Sequence, residues 1–282
     1  MIPMNEAYGN AASLRDYCNA DKSVPIWGEI QHSLWLNNLN KVNERRSRLF
    51  PKLFTWNSVI SFENSIPIGD PMGYFLKMNP PNLIENPQKV ILLPKFRRTL
   101  NIDDRISQYK SFMSEAMEKF PNAHFLISIH PEEMKYHDKI LIGQFSKIKI
   151  HDPQDIANPM QEYVSLFENA GIIFTDYIGA HVFRARSYFN LKSEFTIQTW
   201  ANPLIDEKMK DYFEEFVDAQ DDFCAREISD LLLGLNHIKS AEELSELLGF
   251  TRIRTFVGIL MRENYISYSQ RIIKKPNNSQ FA

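Results

Sequence analysis

Thr175, Asp176, Tyr177, Gly179 and His181 lie close together in the stretch GIIFTDYIGAHVFRAR, residues 171–186. A turn that only reverses the chain needs small or flexible residues, not a hydroxyl, a carboxylate and an imidazole gathered together. If GIIF is a strand and the following apolar pattern a helix, free backbone N–H groups at the helix start face the strand's carboxyl end. An anion such as a phosphate suits that position. Gly179 would admit close backbone approach, Thr175 would donate from its hydroxyl, and His181 would supply a third donor or a positive charge. The same residues also fit a plain structural use, with Asp176 capping the helix and His181 a satisfied surface histidine. A second group, His130-Pro131-Glu132, ends the run HFLISIH. Pro131 restricts His130 to an extended backbone, which would aim its ring out of a sheet edge. Lys95 closes a third run, KVILLPK, and would add a cation at the same rim or simply end the strand in solvent. The segment HDPQD offers His151, Asp152 and Asp155, yet it has neither paired histidines four apart nor a carboxylate cluster, so no metal site is expected.

These groups converge only if the elements carrying them share one sheet. KVILLPK, residues 89–95, is a short continuous apolar run of the kind a parallel strand covered on both faces needs. After it, Ile106, Tyr109, Phe112, Met113, Ala116, Met117 and Phe120 recur at helical spacing, with acids at the start of the segment. The alternation continues through HFLISIH, KIKIHD, helix NPMQEYVSLFENA, strand GIIFTD, helix HVFRARSYF and strand SEFTIQT. Strands alternating with helices over more than a hundred residues predict a doubly wound parallel sheet with right-handed crossovers. In such a sheet ligands bind beyond the carboxyl ends of the strands, where all three polar groups would lie.

The 282 residues divide at the proline-rich stretch 78–88 into a first part, residues 1–86, and a sheet domain, residues 87–201. A helical region, residues 202–282, follows and either wraps back over the other parts or forms a small module. Two cysteines without metal or redox spacing argue against a disulfide framework and for a reducing compartment. The N-terminus lacks a basic segment followed by an apolar core, and no uncharged run approaches the roughly 20 residues of a membrane span, so a cytoplasmic protein is expected. A net charge of −3 speaks against a nucleic-acid footprint over the whole surface.

The order IHPEE, KIHDPQDI, YVSLFENA and IIFTDYIGAHVFRA is similar to the donor-binding half of GT-B glycosyltransferases, in particular bacterial capsule, teichoic-acid and sialic-acid or Kdo transferases. His130 and Pro131, followed by Glu132, match the His-Pro motif of those enzymes, and Thr175, Asp176 and Tyr177 match their later TDY-type turn. The match departs at Ile178-Gly179, where CDP-glycerol-type polymer transferases carry paired serines. The resemblance covers residues 90–200 and implies an α/β, GT-B-like fold: a doubly wound donor domain, a shortened N-terminal domain and C-terminal helices. It implies a metal-independent glycosyltransferase without a cofactor, moving a sugar or polyol phosphate from a nucleotide-activated donor to a surface glycan in polysaccharide or capsule biosynthesis. Lys95, His130, Pro131, Glu132, Thr175, Asp176, Tyr177, Gly179 and His181 would bind the donor, with His151 and Asp152 against its nucleobase or ribose. IWGEIQHSLW in the first part looks like an acceptor-side segment, making Glu29 and His32 candidates for the base that deprotonates the attacking hydroxyl. The implied partners are the nucleotide sugar and a glycan or glycolipid acceptor; peripheral association with the inner membrane and a homo-oligomer are compatible with it.

Two other readings remain open. One is a non-catalytic interaction or regulatory protein on the same fold. The other comes from SAEELSELLGFTRIRTFVGILMRENYISYS, which resembles a winged helix-turn-helix, with Arg252 and Arg254 near the start of its second helix. The acidic Glu242, Glu243 and Glu246 and the scarcity of basic residues favour a packed helical hairpin over a nucleic-acid partner.

Overall fold

The computed structural model describes residues 9–31, 52–59, 65–84, 86, 88–95, 100–151, 158–196, 207–219 and 222–250. His32, Asp152, Asp155 and the second helix of the winged-helix reading lie outside them. Two parallel sheets with flanking helices make an α/β fold. The larger sheet holds β4 (Lys89–Leu93), β5 (His124–Ile127), β6 (Lys149–Ile150), β7 (Ile172–Thr175) and β8 (Lys192–Phe195), in the order β6-β5-β4-β7-β8. The smaller sheet holds β1 (Glu29–Ile30), β2 (Leu53–Thr55) and β3 (Ser65–Pro67), in sequence order. The helices are α1 (Asn10–Tyr17), α2 (Pro71–Met78), α3 (Ile102–Lys119), α4 (His137–Ile140), α5 (Pro159–Phe167), α6 (Ala180–Phe189), α7 (Glu207–Asp218), α8 (Asp222–Leu233) and α9 (Ala241–Leu248).

The continuous apolar run of β4 is covered on both faces. Val90 and Leu92 pack with Ile106, Tyr109, Phe112, Met113 and Ala116 of α3, while Ile91 and Leu93 join the core built by α5, α6, α7 and α8. Successive strand residues point to opposite faces, so a strand between two helical layers must be apolar at every position. The predicted stripe on α3 is the buried one, and Asn101 starts the helix by accepting from the backbone N–H of Asp104 at 3.0 Å.

The stretch DEKMKDYFEEFVDAQDDFCAREISDLLLGL, read above as helical, contains two helices, α7 and α8. The chain after α8 returns to the smaller sheet: Leu244 and Leu248 of α9 pack with Ala11 and Leu14 of α1 and with Ile30 and Phe54. Within the described residues, α7, α8 and α9 therefore pack back on the cores of the two sheets. Among the described residues, no helix is long and apolar enough to cross a membrane.

The two sheets meet through a few large side chains. Trp56, just past β2, and Met72 and Phe75 of α2 belong to the core that covers β4 and β7. The Gln31 carboxamide accepts from the Trp56 backbone N–H at 2.9 Å, and the Gln31 carbonyl accepts from the indole N–H at 2.8 Å. The carboxyl edge of the small sheet is thus fixed before it reaches across. The carbonyls at the end of α8 are also satisfied from there, Leu232 by the Asn57 side chain at 2.5 Å and Leu233 by the Asp70 backbone N–H at 2.9 Å.

Candidate functional site

The larger sheet changes direction between β4 and β7. The chain moves outward from β4 through β5 to β6, then crosses to the other side of β4 for β7 and β8. Helices following adjacent strands on opposite sides of such a switch point diverge, leaving a crevice outside the carboxyl ends. Here that crevice is bounded by Leu93, Pro94 and Lys95 on one strand and Thr175, Asp176 and Tyr177 on the other, because Leu93 pairs with Thr175.

His130 belongs to the same edge. Leu92 pairs with Ile127, and the Ser128 N–H continues the ladder to the Leu92 carbonyl at 3.0 Å. Two further residues bring His130 to the rim, two strand spacings, or roughly 10 Å, from the β7 exit. Pro131 and Glu132 open a helical turn over Pro131–Tyr136. That turn sends Glu133 inward. Its carboxylate is 1% exposed and accepts from Arg105 at 2.9 Å and from the Tyr109 hydroxyl. Burial first, then the Glu133 carboxylate, pushes the Tyr109 phenol far up, so it stays a donor. Glu133 holds α3 against the exit of β5; the sequence reading chose its neighbour Glu132, because nothing local distinguishes the two.

A pocket lies against this edge, lined by Pro94, Lys95, Arg105, Gln108, Tyr109, Phe112 and Asp176. Asp176 ties its two strands together, its Oδ1 accepting from the Lys95 backbone N–H at 2.7 Å. It does not cap α6. The N-cap of α6 is Gly179, which is extended and has no side chain to contribute a cap.

Three expectations for this turn are revised by packing. Thr175 is fully buried, and its hydroxyl donates to the Leu93 carbonyl at 2.7 Å, so it locks β7 to β4 and has no proton left for a ligand. His181 is no cation. Burial, and then the charge of Arg184, lower its pKa to about 3. Its Nε2 lies 3.3 Å from the Thr175 hydroxyl oxygen. With the Thr175 proton committed to Leu93, the tautomer protonated at Nε2 satisfies both groups. Gly179 serves a ring packing: a Cβ there would come within 3.1 Å of both Tyr177 and His181, whose ring centroids are 4.4 Å apart.

Elsewhere, His151 follows β6 with its Nε2 3.6 Å from Glu162 on α5, at the same edge of the sheet two strands from β4. Glu29 lies inside β1, 5% exposed and paired in register with Leu53. β1 is an edge strand of the smaller sheet, so this carboxylate sits at the sheet edge yet is buried there. Among the described residues no three His, Cys, Asp or Glu side chains are placed to share a metal ion.

The residues that sequence reading missed sit just behind the turn. Asp70, at the exit of β3, is fully buried and receives Arg184 of α6 in a fork, Nε to Oδ2 at 2.7 Å and a terminal nitrogen to Oδ1 at 2.5 Å. The guanidinium lies over Trp56 at 4.9 Å and Tyr163 at 5.5 Å from the ring centroids. Burial alone would lower the Arg184 pKa, but the Asp70 carboxylate more than reverses it. Two signals were available in sequence: Asp-Pro at residues 70–71 is a helix start, and arginines at 184 and 186 interrupt an otherwise apolar helix.

No protein-family model matches the chain, and no characterised protein is similar to it in sequence. Among solved structures it is similar in shape to the UDP-GlcNAc 2-epimerase from Neisseria meningitidis bound to UDP-GlcNAc, at a TM-score of 0.42 and 17% identity, over 90% of this chain and 73% of that one. A co-structure of S. aureus MnaA with UDP gives 0.42 and 15%, over 83% of this chain and 69% of that one.

Proposed function

We propose that the chain is a glycosyltransferase that binds a nucleotide-activated sugar or polyol phosphate at the β4–β7 switch point and transfers it to a surface glycan. The observation that supports this reading is the convergence of Lys95, His130 and the 175–181 turn on one carboxyl edge, beside the first turn of α6. The N–H groups of that turn and the Lys95 and His130 side chains are the proposed donors to the diphosphate. Asp176 and Gln108, lining the adjacent pocket, are the proposed partners of the ribose or base. The acceptor base is proposed to be Glu29, in β1 of the smaller sheet, or His32. An enzyme of this kind needs its donor held with reacting atoms aligned and water kept out, which is the task proposed for the crevice at the β4–β7 switch point.

Calorimetric titration with CMP, CDP, UDP and GDP tests it. One of the four is expected to bind wild-type protein, and His130→Ala is expected to weaken that binding by about tenfold, the value of one charge-assisted hydrogen bond. Absence of binding at millimolar concentration of all four overturns the reading and favours a non-catalytic protein on the same fold.

A further inference from the structure

We infer that Arg184 is a positioning residue: clamped by Asp70 of the small-sheet lobe, it fixes the first turn of α6 and thereby the 175–181 turn, so that the site on one lobe is shaped from the other. The functional consequence rests on the donor-site reading above; the mechanical claim does not.

The path is short and continuous. Asp70 is held at both ends of its own residue, its backbone N–H on the Leu233 carbonyl at 2.9 Å and its Oδ1 accepting from the Met72 N–H at 3.3 Å at the start of α2. A carboxylate so placed fixes the guanidinium plane, because a forked pair defines direction as well as distance. Trp56 lies along the guanidinium from the small-sheet side and Tyr163 of α5 completes its surroundings. Arg184 stands three residues after His181, on the same side of α6. His181 in turn touches the Thr175 hydroxyl and packs on Tyr177. Asp70, Arg184, Trp56 and the Thr175 hydroxyl are buried, so the first links of the series cannot be replaced by water without opening the core, while His181 and Tyr177 are partly exposed.

Close packing of α2 supports the same conclusion. A Cβ at Gly73 would meet Ile238 at 2.6 Å and the Tyr188 hydroxyl at 2.9 Å. Gly73, in the helix that Asp70 starts, thus lets the Tyr188 hydroxyl of α6 approach closely, a second point where α2 meets α6 beside the Asp70–Arg184 pair.

Backbone amide exchange of the unliganded protein tests the clamp. Asp70→Asn keeps the shape and the helix-cap acceptor while removing the charge. It is expected to speed exchange at residues 176–182 by about tenfold or more relative to β5. Leu248→Ala, in the core of the small lobe and remote from the pair, is the control for general destabilisation and should leave that ratio unchanged. Arg184→Lys, which keeps the charge without the fork, is expected to behave like Asp70→Asn and serves if the latter fails to fold. Wild-type protection of 176–182 in Asp70→Asn or in Arg184→Lys, or an equal change in Leu248→Ala, overturns the inference. With the nucleotide that binds wild-type protein, Asp70→Asn should weaken affinity by about tenfold. If none binds wild-type protein, the donor-site reading fails while the exchange result still decides the clamp.

Discussion

Asp70 leaves β3 and Asp176 leaves β7, each at the carboxyl end of a parallel strand and each just before a helix, yet the fold uses them differently. Asp70 is fully buried and spends both carboxylate oxygens on Arg184. Asp176 is 8% exposed, ties one oxygen to the Lys95 N–H, and faces a pocket shared with Arg105 and Gln108. The difference follows from what lies beyond each strand. The small sheet's edge abuts α6 and α8, so its polar groups meet protein; the large sheet's edge opens at a switch point, where diverging helices leave room. A strand-end aspartate becomes structural or functional according to whether topology closes or opens the space in front of it.

The largest effect should come from breaking the closed edge. Arg184→Met leaves the Asp70 carboxylate buried without its partner and is expected to cost about 3–5 kcal/mol in urea unfolding. Replacing both residues, Asp70→Leu with Arg184→Met, should recover most of that loss and leave about 1 kcal/mol from the missing cap on α2. A single mutant within 1 kcal/mol of wild type would mean that the two edges are not different in kind.

This contrast was half visible in the amino-acid sequence. β4, α3, β7 and α6 each announce themselves by a continuous apolar run or a helical stripe, and the rule for parallel sheets then brings His130 and residues 175–181 to one edge. The small sheet carries no such signal, since strands of two or three residues are too short to show a period. The Asp70–Arg184 pair spans 114 positions and leaves no local trace of partnership. Thr175 and His181 were recognised as unusual, but their residue types do not reveal burial. That burial turned an expected donor and cation into a strand lock and a neutral ring.

An intermediate effect should appear in the dependence on pH. His181 has a folded pKa of about 3 against an ordinary 6.5. The unfolded chain therefore binds the proton first, and the contribution of His181 to stability is complete above pH 6.5 and lost as pH falls toward 3. The limiting slope is about 1.4 kcal/mol per pH unit. Urea unfolding between pH 7.5 and 5 should show stability falling toward acid, and His181→Gln should flatten the curve in that window. His237, also lowered by burial and by Lys239, acts in the same direction from the surface, so some slope should persist. An unchanged slope in His181→Gln would put the titration elsewhere and remove the neutral ring from the account of the turn.

The smallest effect on stability, and the most informative about the open edge, is expected from Asp176→Asn. Asparagine keeps an oxygen that can accept from the Lys95 N–H, so unfolding should move by no more than about 1 kcal/mol. Ligand binding should move further in proportion. A carboxylate in the pocket accepts more strongly from hydroxyl or amino groups than a carboxamide does, and its loss should weaken nucleotide binding by about tenfold if the ribose or base lies there. The sign is itself a structural reading. A phosphate beside residue 176 would be repelled by the native charge, so tighter binding in Asp176→Asn would place the anionic end of the nucleotide in the pocket and reverse the orientation proposed here. Asp70→Asn cannot give that answer, because its neighbours are all protein; only at the open edge does the charge of one aspartate report on what comes to meet it.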